Sequence, residues 1–174
     1  SGAMSTPGAY KTSNWGYDLF LAKFTISGQR VWGTYFGGSG IETFGKSTVD
    51  KWGNSYLVGG TTFHAQSHIT ANTHQTTFGG GQYDVIIAKF NSHGAKVWAT
   101  FFGGPGVEHA GACAADSSGS VYVTGFTSSK DSISSTGAHQ LIKHGNNDCF
   151  LAKFDSIGRR IWATYYGSTA HDQG

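Results

Sequence analysis

The sequence predicts an all-β protein assembled from repeated four-stranded antiparallel units. Three observations predict it. Helix formers such as Glu and Met are scarce, whereas the 174 residues include 27 Gly and only two Pro, with 14% aromatics. That mix favours short strands joined by tight turns. A block of apolar residues then recurs three times at a spacing of about 65 residues, the signature of an internal repeat. The strands so marked are apolar on nearly every residue, as in Val85, Ile86 and Ile87, which predicts a sheet covered on both faces.

Each element follows in order. Asp18 to Phe24, Asp84 to Phe90 and Asp148 to Phe154 all end in Ala-Lys-Phe and form one strand of the unit, strand c. A Gly turn follows at Gly28, Gly94 or Gly158. Strand d comes next, carrying Trp32, Trp98 or Trp162, which lie 66 and 64 residues apart. Two further strands occur twice between these blocks. Strand a ends in Asp50 or Asp116, and strand b contains Tyr56 or Tyr122. The Asp at the turn start with Gly three residues later predicts a hairpin. The carboxylate caps backbone amides and Gly accepts positive φ.

Four-stranded units that bury both faces against like neighbours are what a β-propeller supplies. The inventory is c–d, a–b–c–d, a–b–c–d, which is ten strands. It divides the chain into a half blade over 5–37, full blades over 38–103 and 104–167, and the start of a further connection over 168–174. Ser1 to Met4 are expected to be a cloning scar. Ten strands do not close a ring of four-stranded blades, so the chain is expected to associate with copies of itself or with neighbouring blades of a longer chain.

The ordered blocks resemble the SBBP repeat, a seven-bladed β-propeller repeat family. They are Trp-x-Thr-Tyr-x-Gly-Gly, then Asp-x-x-Gly-x-x-Tyr-Val-x-Gly-x-Thr, then Gly-Ala-[Tyr/His], then Asp-x-Phe-x-Ala-Lys-Phe. The resemblance spans nearly the whole chain and implies a propeller module of large bacterial surface or secreted proteins, often beside adhesive modules. It implies no shared catalytic residues. Two positions depart from the pattern: Lys46 to Thr48 replace a small apolar start of strand a, and Trp52 stands where small polar residues are usual.

In a propeller the b–c and d–a connections share one rim, and here those are the long ones, from Thr62 to Tyr83 and from Thr127 to Asn147. Long loops on a rigid scaffold favour binding. The d–a loops, taken as 37–45 and 103–111, carry an acid ten residues after each Trp: Glu42, Glu108 and Asp172. Such a set suits an oxygen-seeking cation such as calcium, or serves structurally by accepting backbone amides in a Gly-rich loop. Trp15 and His109, also placed in rim loops, complete the ligand-binding candidates for a glycan or protein. His64 and His68 have i, i+4 spacing but lie in apparent loop, and His74 and His139 align with Tyr10 in a packing position. Lys23, Lys89 and Lys153 are read as snorkelling at a blade edge, and Asp18, Asp84 and Asp148 as turn caps. Cys113 and Cys149 read as buried small apolar residues, with a disulfide as the lesser reading.

The net charge of +2 is dispersed, which argues against a nucleic-acid surface. No apolar run approaches membrane-spanning length. No nucleophile motif, Walker loop, dinucleotide fingerprint or zinc-peptidase helix is present, so no catalytic residue is assigned. The expected function is a non-catalytic binding, adhesion or scaffold module acting through the long-loop rim. The alternatives are a self-associating architectural repeat and a glycan-active enzyme on the rim.

Overall fold

The structure is a computed structural model that describes residues 4–172, so Ser1 to Ala3 of the expected scar lie outside the described residues. It is all-β. The strands are β1 (Leu19–Phe24), β2 (Arg30–Phe36), β3 (Glu42–Val49), β4 (Ser55–Thr61), β5 (Asp84–Phe90), β6 (Lys96–Phe102), β7 (Glu108–Ala115), β8 (Val121–Thr127), β9 (Asp148–Phe154) and β10 (Arg160–Tyr166). Among the described residues they form three antiparallel sheets, none of them closed: β1-β2, β3-β4-β5-β6 and β7-β8-β9-β10. The Ala-Lys-Phe strands β5 and β9 pair with both their chain neighbours, as the sequence predicts.

Strand periodicity explains why three sheets stack. Successive residues point to opposite faces. On the middle sheet Leu57, Ile86, Ala88, Phe90 and Phe101 therefore turn one way and join Leu19, Leu21, Trp32 and Phe36 of the first sheet in one core. Tyr56, Val58, Val85, Ile87, Trp98 and Phe102 turn the other way and join Phe150, Ala152, Phe154 and Tyr165 of the last sheet in a second core. All seven residues of β5 are buried, as a strand covered on both sides requires.

Hairpin turns carry the expected chemistry. The Asp50 carboxylate accepts from the amides of Trp52 and Asn54, and Asp116 from those of Ser118 and Ser120. Gly53 and Gly119 both take φ +77°.

Three sequence expectations require correction. The d–a loops end earlier than expected, because Glu42 and Glu108 open strands β3 and β7. The glycines taken as loop ends sit instead at bulges: the register shifts between Thr43 and Lys46, where Phe44 takes φ +56°, and between Ala110 and Ala112. His109 is consequently a strand residue. His64 and His68 lie on a 3-10 helix, Phe63–His68, not in open loop. A 3-10 turn holds three residues, so i, i+4 side chains diverge there rather than share a face.

The long connections also have a structural task. Strands β2, β6 and β10 stand at sheet edges, whose unpaired amides and carbonyls invite foreign strands. Each edge is covered by the loop preceding its hairpin. Thr70 N donates to Ala99 O and Phe101 N to Gln75 O. Ser135 N donates to Ala163 O and Tyr165 N to Gln140 O. Thr6 N donates to Gly33 O and Tyr35 N to Lys11 O.

Candidate functional site

The acids were the leading candidates, and their surroundings define what they do. Glu42 and Glu108 are buried. Glu42 accepts from Gly38 N at 3.1 Å and from the Thr61 hydroxyl at 2.8 Å. Glu108 accepts from Gly104 N at 2.9 Å and from the hydroxyls of Thr127 and Ser129 at 2.5 and 2.7 Å. Asp172 accepts from Ser168 N at 2.7 Å. In each case the amide lies four residues before the acid. At Glu42 and Glu108 the carboxylate thus ties down the Gly-rich turn that leads into the next sheet, and at Asp172 it closes a turn of the same span. Charge-assisted bonds of this kind are the strong ones.

A second acid stands beside the first. Asp18 and Asp84 open strand c or immediately precede it. Asp18 accepts from Lys11 Nζ and Trp15 N, and Asp84 from Gly79 N. A side-chain carbon on Gly37 would strike both Asp18 and Glu42, and one on Gly103 would strike both Asp84 and Glu108, so each pair flanks a glycine. The Oδ1 atoms of Asp18 and Asp84 are buried without a hydrogen-bond partner. Burial pushes Asp84 up to about 7, against the Gly79 amide and reinforced by the negative charge of Glu108. Burial likewise raises Glu42, with Asp18 adding to the effect. The sequence marked the Asp positions as caps, which they are. It did not show that cap and loop acid converge on one glycine, because they lie about 24 residues apart in the chain.

Among the described residues, no three His, Cys, Asp or Glu side chains are grouped as a metal ion would require. His109 packs its ring among Phe44, Tyr83 and Phe126, with Nδ1 buried and without a partner, and burial lowers its pKa. Trp15 is 65% exposed, and Tyr17 and Ile41 beside it are exposed too. The structure therefore pairs Asp18 with Glu42 and Asp84 with Glu108, and ties Trp15 to the first pair through its backbone amide alone, at 3.1 Å from Asp18, while Trp15 as a whole stays 65% exposed.

Other candidates resolve into packing. His74 stacks on Phe102 and Phe154, and Tyr10 on Phe36 and Phe90, which is the packing position expected. Cys113 and Cys149 are free and half-buried rather than buried. Cys149 aligns with Leu19 and Val85, which a following sheet covers, and nothing among the described residues covers it in the same way. Lys23 and Lys89 do not snorkel to solvent: their ammonium groups donate to Ser92 O and Ser156 O of the next sheet.

No family model matches the chain, and no curated protein matches it.

Proposed function

We propose that this chain is a non-catalytic scaffold module of propeller type, whose blades act through their faces rather than through a pocket. The observation that supports this reading is the commitment of the acids. Glu42, Glu108 and Asp172 each accept the amide four residues upstream, and Asp18 and Asp84 cap their own loops. Both oxygens of Glu42 and of Glu108 are engaged by backbone amides or hydroxyls, and a carboxylate so spent is not a free nucleophile, base or cation ligand. Asp18 and Asp84 each keep one oxygen unpartnered, but it is buried against the neighbouring glycine. The recurrence of the same bonds from sheet to sheet is what stacked repeats need. The SBBP-like order of the blocks supports a place in a bacterial surface or secreted protein.

The test is a polysaccharide panel followed by a reducing-end assay, alongside thermal melts in millimolar calcium. The scaffold reading expects no released ends and no calcium-dependent rise in melting temperature. Release of ends that Glu108→Gln abolishes would replace it with a rim enzyme, and a calcium-dependent rise would restore a cation site. The exposed Trp15 and Tyr17 favour a second reading, adhesion to a glycan or protein through that corner. A glycan array compared with Trp15→Ala tests it.

A further inference from the structure

The chain contains one joint twice, and both halves of the same joint a third time, unfilled. In the first joint the Trp32 indole N–H donates to Ser92 O at 3.1 Å and its ring lies on Gly94, where a Cβ would come within 2.8 Å of it. In the second, Trp98 donates to Ser156 O at 2.9 Å and lies on Gly158, where a Cβ would come within 2.9 Å. Only a glycine turn fits beneath these rings. Around each Trp the same partners repeat. Phe36 meets Phe90 edge-on at 5.7 Å, and Phe102 meets Phe154 at 5.7 Å. Tyr10 and His74 wedge against both rings of their pair.

The third set is split between the two ends of the stack. The last sheet holds the projecting half: Trp162, whose indole N–H, unlike those of Trp32 and Trp98, has no partner among the described residues, His139 stacked on Tyr166, and Leu151. The first sheet holds the receiving half: Phe24, the Ile26 carbonyl and Gly28, at the positions of Phe90, Ser92 and Gly94. Exposure records the vacancy. Phe90 and Phe154 are 0% exposed and Phe24 is 57%; Phe36 and Phe102 are 0% and Tyr166 is 67%. A Cβ on Gly28 meets nothing within 4 Å. The hollow beside Trp32, about 280 Å³, is closed on one side by the Ser92 to Gly94 turn. Its counterpart beside Trp162, about 370 Å³ and lined by Ser135, Ala138, His139 and Leu151, has no such turn.

We propose that a second copy of this chain docks head to tail, seating its Ile26 to Gly28 turn under Trp162 and its Phe24 between Tyr166 and His139. The proposal rests on the scaffold reading. It commits to a copy because the receiving turn and strand repeat the Phe, the carbonyl and the Gly (Phe24, Ile26 and Gly28) that this chain already uses on itself twice, at Phe90, Ser92 and Gly94 and at Phe154, Ser156 and Gly158. The contact is the outer half of the internal joints, since the receiving sheet has strands β1 and β2 alone. A head-to-tail contact is heterologous, so it propagates to a ring or a filament according to the rotation it imposes.

Light scattering coupled to size exclusion, run over a hundredfold concentration range, tests this with two variants at exposed positions. Wild type is expected to show masses of two chains or more, rising with concentration. Phe24→Asp spoils the receiving half and Tyr166→Asp the projecting half, and each alone is expected to run as a monomer with an unchanged melting temperature. Mixed in equal amounts, they are expected to form a dimer that grows no further, because one intact projecting half meets one intact receiving half. A wild-type monomer throughout overturns the proposal. So does association that survives both single variants, or a mixture that stays monomeric. The polysaccharide and calcium experiments judge the scaffold reading separately, so the joint can fail while that reading stands.

Discussion

Asp84 and Lys11 show how one neighbour changes the meaning of a buried acid. In the first sheet Lys11 Nζ sits 2.8 Å from Asp18, supplying a cation to the acid pair. In the middle sheet Gln75 occupies the matching place and offers Asp84 only an amide at 3.4 Å. Burial then lifts Asp84 from 3.8 to about 7. A folded-state pKa above the unfolded one means that the folded chain holds the proton longer. The resulting stability is complete below pH 4 and is lost as pH rises through about 7. Asp84→Asn carries no such titration, so its stability relative to wild type should rise between pH 5 and pH 8, as urea melts at each pH would show. His74 acts in the opposite direction. Burial, with Arg160 adding, lowers its pKa from 6.5 to about 4, so the stability that it contributes is present above 6.5 and is lost as pH falls toward 4. His74→Phe should flatten that acid side and leave the alkaline side alone. Glu108→Ala would strand Gly104 N and the hydroxyls of Thr127 and Ser129, at a cost of about 1–3 kcal/mol by denaturant melts.

At the scale of the element, the long loops trade freedom for edge protection. Gln75 bonds the outer edge of β6 through its backbone, while its side chain accepts from Gly103 N and reaches Asp84. Gln140 repeats the arrangement at β10, accepting from Gly167 N. Gln75→Ala should cost about 1 kcal/mol and speed amide exchange at Gly103 more than at Ile87 in the sheet centre. The hairpin turns give a paired comparison. Gly28 and Gly158 both adopt positive φ, +80° and +83°, so Ala strains each backbone alike. Only at Gly158 does the new methyl also meet the Trp98 ring. In a monomeric background such as Tyr166→Asp, Gly158→Ala should therefore lower stability clearly more than Gly28→Ala. Equal losses would mean that the turn glycines matter for backbone conformation and not for the contact between sheets.

For the whole molecule, three sheets and two cores leave two unlike outer faces. Trp98 is 3% exposed at a filled joint. Its truncation to Ala should cost about 3–5 kcal/mol, the usual range for a buried Trp. Trp162 occupies the same strand position at a face without a partner in the single chain. Trp162 is half-buried and edge-on to Tyr122 at 6.2 Å, so Trp162→Ala should cost the monomer about 1–2 kcal/mol, clearly less than the loss at Trp98. The same change should abolish association if the projecting half works as proposed. Comparable losses from both changes in the monomer would show that the last sheet is covered in solution by its own chain.

The strand inventory was legible in the sequence because each strand repeats a local pattern: the Ala-Lys-Phe block, the Trp block, and the Asp and Gly of each hairpin. Those signals act over a few residues, and the ten strands and their antiparallel pairing follow from them. The boundaries of β3 and β7 were not legible, since a glycine at a bulge looks like a glycine in a loop until the partner strand sets the register. The roles of the acids were only half legible. Periodicity placed Glu42, Glu108 and Asp172 at equivalent positions, but their burial and their meeting with Asp18 and Asp84 depend on how the chain returns on itself. The lysines and tryptophans show the same division. Their recurrence marks a structural duty, yet the duty, for Lys23, Trp32, Lys89 and Trp98, is a hydrogen bond to the next sheet, 58 to 69 residues further on. Local sequence determined which segments become strands and turns, through propensity and φ preference. Only the stacking of sheets decided which equivalent residues are buried, because burial belongs to the neighbour and not to the residue: Phe24 and Phe90 share a position in the repeat, and only Phe90 has a sheet over it.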